Sequence, residues 1–143
     1  MATVGFTTAI ARKPEDVFDL VADIRRNREW APGFTGAEKT STGPIGPDAT
    51  FRTVARGMGD LQIRIREYER PSRLGFVGTT RSAEIDHLFT LTPEGQGTRV
   101  DQRIEVRPKG ALLRLLAPLM AVMLKRQIQS NTSALKQYLE RTA

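Results

Sequence analysis

A chain of 143 residues has about the size of one domain, and 39% hydrophobic with 27% charged residues excludes both a disordered chain and a fibrous repeat. The absence of cysteine and the presence of one histidine, His87, exclude disulfides, thiolate or multi-histidine metal sites and cysteine nucleophiles, and no cofactor is expected. A net charge of +6 favours anionic partners, nucleic acid and acidic membranes among them.

Val4, Phe6, Thr8 and Ile10 alternate with smaller residues and predict a strand with one buried face. Pro14 suits a first helical position, Glu15 and Asp16 complement a helix N-terminus, and Val17, Leu20, Val21 and Ile24 recur at helical spacing. A second short helix is expected over 25–30, stopped by Pro32-Gly33. From Phe34 to Val106 the period is mostly two, broken by turn signals at 43–48, 57–60, 71–72 and 93–97. About six antiparallel strands follow from that pattern.

Their phases place Phe51 and Thr53 inward, then Leu61, Ile63, Ile65 and Glu67, then Leu74 and Phe76. On the last two strands Ile85, His87, Phe89 and Leu91 share the inner face with Val100, Gln102, Ile104 and Val106. Arg52, Arg56, Arg64, Arg66, Arg99, Arg103 and Arg107 fall on outward phases, the usual arrangement of a solvated face. Met58 between two glycines is expected at a hairpin tip. The C-terminal third reads as a short helical piece over 110–117 and a long helix from Pro118 to about Arg141. Its apolar face carries Met120, Met123, Leu124, Ile128, Ala134, Leu135 and Tyr138, with the polar Gln127 and Asn131 in its midst.

An α+β architecture results, with a curved antiparallel sheet of about seven strands wrapped on the long C-terminal helix and two short helices after the first strand. In this order the chain resembles the START-like (SRPBCC) superfamily, in its polyketide cyclase/dehydrase and lipid-transport-like branch. The resemblance rests on Pro14-Glu15-Asp16-Val17-Phe18-Asp19-Leu20-Val21-Ala22-Asp23 and Glu29-Trp30-Ala31-Pro32-Gly33. It rests further on Glu67-Tyr68-Glu69-Arg70-Pro71-Ser72-Arg73, Gly97-Thr98-Arg99-Val100 and Leu135-Lys136-Gln137-Tyr138-Leu139-Glu140. It covers the whole chain, 1–143, as a single START-like domain, and implies a helix-grip fold with a cavity for a hydrophobic ligand between sheet and helix. Its motifs are structural, so no catalytic position is carried over.

Five polar residues occupy inward positions: Glu67, His87, Gln102, Gln127 and Asn131. Buried polar groups must be paired, with each other or with a ligand, and a few convergent polar groups in an apolar cavity are the usual form of a small-molecule site. An internal hydrogen-bond network would use the same residues, and both readings stand at this level. The expected lining is Ile63, Ile65, Glu67, Phe76, His87, Phe89, Gln102, Ile104, Met120, Leu124, Gln127, Asn131 and Leu135. His87 paired with Glu67 would suit general-base chemistry of the kind a cyclisation or dehydration needs. Trp30 either lines the mouth of that cavity or anchors its loop.

Three functional classes follow, in this order: a binder of a small hydrophobic lipid- or polyketide-like ligand, a cyclase or dehydratase, and a module that associates with RNA, ribosome or membrane. From Lys109 onward six basic residues face one acidic residue beside the apolar run 111–124, which suits an anionic membrane surface. The outward arginines lack interleaved aromatic residues, which weighs against nucleic acid. No basic segment followed by a long apolar run opens the chain, so a cytoplasmic protein is expected. Monomer and homodimer are both compatible with the sequence.

Overall fold

The computed structural model describes residues 2–31, 34–55 and 59–142. The expectations for Pro32-Gly33, Arg56 and the Gly57-Met58 tip lie outside them. The first strand, β1 (Ala2–Ile10), leads into α1 (Pro14–Ala22), a 3-10 turn (Ile24–Arg26) and α2 (Asn27–Trp30). Pro14 opens α1 as the sequence predicts, Glu15 and Asp16 sit in its first turn, and Val17, Phe18, Leu20 and Val21 are buried.

Six strands follow: β2 (Phe34–Lys39), β3 (Thr50–Ala55), β4 (Gly59–Glu69), β5 (Arg73–Thr79), β6 (Ala83–Glu94) and β7 (Gly97–Pro108). The sheet runs β1-β7-β6-β5-β4-β3-β2, antiparallel throughout, with the first and last strands of the chain paired side by side. The tight turn between β6 and β7 sets Leu91 opposite Val100, Phe89 opposite Gln102 and His87 opposite Ile104, which puts the residues expected to face inward on one face.

The chain ends in α3 (Ala111–Leu115) and the 25-residue α4 (Ala117–Arg141). Among the described residues no helix is long and apolar enough to cross a membrane.

Two packed regions cover the inner face. The larger unites α1 with Phe51, Leu61, Ile65, Leu74, Phe89 and Val100 of the sheet and with Leu135 and Leu139 of α4. A smaller one joins Val4, Ala83, Ile104 and Val106 to Ile128. Each fully buried large side chain stabilises the fold by roughly 2 kcal/mol through area removed from water.

The C-terminal half of α4 is also fixed by polar contacts. Lys136 Nζ donates to the Ala9 carbonyl at 2.6 Å, Arg12 donates to the Leu139 carbonyl at 2.6 Å, and Glu140 accepts from the Ala11 N–H at 2.9 Å. Tyr138 donates its hydroxyl to Glu29 of α2 at 2.6 Å. The described outward arginines behave as a solvated face. Arg52, Arg64, Arg66, Arg99, Arg103 and Arg107 each lie within 3.4 Å of a carboxylate.

Candidate functional site

Between the sheet and the N-terminal half of α4 the packing opens into a cavity of about 550 Å³. Strands supply Ile63, Phe76, Ile85, Phe89, Ile104 and Val106, and α4 supplies Met120, Leu124, Ile128 and Leu135. The period of two is what aims alternate strand residues here, and on α4 the recurring three- and four-residue spacing does the same. Trp30 of α2 is among the lining residues and also packs against the larger core.

A chain of three polar side chains crosses this apolar wall. His87 Nε2 lies 3.0 Å from Gln102 Oε1, and Gln102 Nε2 donates to Thr132 Oγ1 at 2.7 Å. With the amide oxygen as acceptor, the proton of the imidazole sits on Nε2 and leaves Nδ1 as a bare acceptor. Among the described residues Nδ1 has no hydrogen-bond partner. His87 stacks on Phe89 with ring centroids 4.2 Å apart, and Phe76 meets both rings edge-on. Burial among these rings pushes the imidazole down to about 4, against the opposing effect of its bond to Gln102. It is therefore neutral at pH 7.

Asn27 and Trp30 also line the cavity, each with one polar atom enclosed behind its wall. Asn27 Oδ1 and Trp30 Nε1 are buried and have no hydrogen-bond partner among the described residues. An unpaired acceptor and an unpaired donor each cost free energy where they stand.

The structure brings Ile63, Phe76, His87, Phe89, Gln102, Ile104, Met120, Leu124, Gln127, Asn131 and Leu135 to one cavity. It corrects two positions. Ile65 faces inward but is fully enclosed in the larger core, beyond the cavity wall. Glu67 faces the other side of the sheet, because a bulge between Ile65 and Glu67 in the pairing with β5 inserts one residue and reverses the phase. Tyr68 takes the inward place and meets Phe18 edge-on at 5.1 Å, while Glu67 pairs with Arg73 at 2.9 Å. The expected acid–base pair of Glu67 with His87 is thus not assembled.

Gln127 and Asn131 do not join His87 and Gln102. They bond to each other at 3.1 Å along the solvent-facing rim of α4. Sequence reasoning missed Thr132, the actual partner of Gln102. The signal was there, since Ile128, Thr132, Leu135 and Leu139 continue one 4-3-4 spacing and all are buried.

No curated protein matches the chain. Solved structures do. A START superfamily protein from Mycobacterium smegmatis superposes with a TM-score of 0.86 at 15% identity, covering 100% of both chains. The protein TTHA0849 from Thermus thermophilus gives 0.79 at 19% identity over 99% of each. The di-domain ARO/CYC BexL from the BE-7585A biosynthetic pathway gives 0.78 at 16% identity, over 98% of this chain and 47% of that one. At such identities these likenesses show a shared helix-grip fold. Residues 1–140 match the family described as Polyketide cyclase / dehydrase and lipid transport, and the chain belongs to that family.

Proposed function

We propose that the protein binds a small, mainly hydrophobic molecule of lipid or polyketide type in the cavity between sheet and α4. The observation that carries this reading is the cavity itself. About 550 Å³ lined by apolar side chains, with one row of polar groups on the wall, has the size and character of a small-molecule site. The membership of a family described by polyketide and lipid chemistry supports it.

The polar row orients the ligand. A hydroxyl on the ligand would donate to His87 Nδ1, the acceptor left open by the bond from Nε2 to Gln102. Binding is favoured over proton transfer as the role of His87. An imidazole whose conjugate acid titrates near 4 is a weak base at neutral pH, and Glu67 is not beside it to assist.

Trp30, the single tryptophan, reports on occupancy without a label. Native mass spectrometry and organic extraction of the purified protein come first, followed by titration of Trp30 fluorescence with fatty acids, sterols and flat polyphenols. A saturable change with one class, weakened when Ile104→Phe narrows the cavity, is the expected result. An empty protein with no saturable response to any class would sink the reading.

A further inference from the structure

The N-terminal half of α4 and the short α3 before it present an apolar surface that nothing in the fold covers. Leu112, Leu115, Leu116, Leu119, Val122 and Met123 are 72%, 78%, 43%, 59%, 53% and 64% exposed. They recur at spacings of three and one, so they form one stripe beside the cavity-facing Met120, Leu124 and Ile128, with Met123 at the border of the two. Large exposed side chains grouped in this way mark an interaction surface.

The charges around the stripe identify the partner. On the sheet every described outward arginine has a carboxylate within 3.4 Å. Around the stripe the opposite holds. Arg114, Lys125 and Arg126 form no ion pair among the described residues, and no Asp or Glu occurs between Glu105 and Glu140. Three cations without a carboxylate partner therefore stand beside the exposed leucines, in a stretch of 34 residues that holds no acid. A second copy of the chain docking face to face would set these cations against themselves. An RNA partner would find cations but no use for six aliphatic side chains and no aromatic platform.

From this combination we infer that α3 and the first turns of α4 dock onto an anionic phospholipid surface. The leucines, Val122 and Met123 enter the boundary between headgroups and acyl chains, while Arg114, Lys125 and Arg126 lie among the phosphates. Met123 belongs both to this stripe and to the cavity lining, so docking sets the cavity wall against the bilayer. The inference goes beyond ligand binding and stands on different residues.

The test is cosedimentation of the full chain with vesicles of phosphatidylcholine alone and of phosphatidylcholine with phosphatidylglycerol, at low and high salt. Binding to the acidic vesicles only, weakened by salt, is expected. Each basic charge near such a surface contributes about fivefold, so Lys125→Gln with Arg126→Gln should weaken binding roughly thirtyfold. Leu115→Asp with Leu119→Asp should abolish it. All four positions are exposed, so both double variants should unfold at the wild-type temperature and keep the Trp30 titration. Equal binding to neutral and acidic vesicles, or wild-type binding by either variant, overturns the inference. So does a dimer in solution that Leu115→Asp splits, or nucleic acid retained by a protein that ignores vesicles.

Discussion

His87 is held in a site that suits the neutral ring and penalises the charged one. Its ring partners are Phe76 and Phe89 and its hydrogen-bond partner is the Gln102 amide, and none of these carries a charge to stabilise an imidazolium. The folded state therefore takes up this proton only near pH 4, while the unfolded chain takes it up near 6.5. Between those values the unfolded state binds more protons, so stability falls as pH drops through that window, by roughly 3 kcal/mol at most. Denaturant midpoints at pH 7 and pH 4.5 should differ for the wild type, and His87→Gln should remove most of that difference. At the middle of the row, Gln102→Leu strands both His87 Nε2–H and the Thr132 hydroxyl. A loss of about 1–3 kcal/mol in chemical denaturation is expected, larger than for Thr132→Val at the end of the row. These residues also show the limit of a phase argument. The pairing of Phe89 with Gln102 and His87 with Ile104 follows from the short turn at Gly95-Gln96, whereas the choice of Thr132 over Asn131 follows from the 4-3-4 spacing of Ile128, Thr132, Leu135 and Leu139, which a count of apolar residues alone passes over.

Among the elements, β6 and β7 were the most legible, because alternation and a tight turn together fix both face and register. The end of β4 was the least legible. Ile65 and Glu67 keep an unbroken alternation in the sequence, and the extra residue exists only in relation to β5, where Glu67 stands opposite Gly75. A Cβ at Gly75 would come within 3.3 Å of the Glu67 Cβ, so the small residue and the bulge fit one another. A sharper demand for glycine falls at the start of β7. A Cβ on Gly97 would lie 2.5 Å from the Ile10 carbonyl oxygen, an atom of the main chain that cannot turn aside. Gly97→Ala should cost about 2 kcal/mol or more, seen as a lowered unfolding midpoint. If Gly97→Ala melts with the wild type, β1 and β7 are not as close as described. For α4 the wheel gave the buried stripe of its second half. That its first half stands over a cavity was expected from the resemblance and not from the wheel, since Met120 and Leu124 look the same beside a filled core as beside an open one.

At the scale of the molecule α4 is held unevenly. Its second half carries Thr132, Leu135 and Leu139 into the core and is fastened by Arg12, Lys136, Tyr138 and Glu140. Its first half rests on Ile128 and the partly buried Met120 and Leu124. Amide hydrogen exchange should therefore be faster over 117–127 than over 128–141, and a bound ligand should slow the first segment selectively. Uniform exchange along the helix would contradict this division. The cavity has one more consequence, for how such a sequence can change over time. Phe18, Phe51, Ile65 and Leu74 are fully enclosed and tolerate little, whereas Ile63, Ile85, Ile104 and Met120 border the cavity on one side. Exchanging one of the second group for another apolar residue alters the shape offered to a guest and leaves the foundation untouched. Folding and selectivity are thus written in separate sets of letters, and a lineage can rewrite the second set many times on one unchanged scaffold.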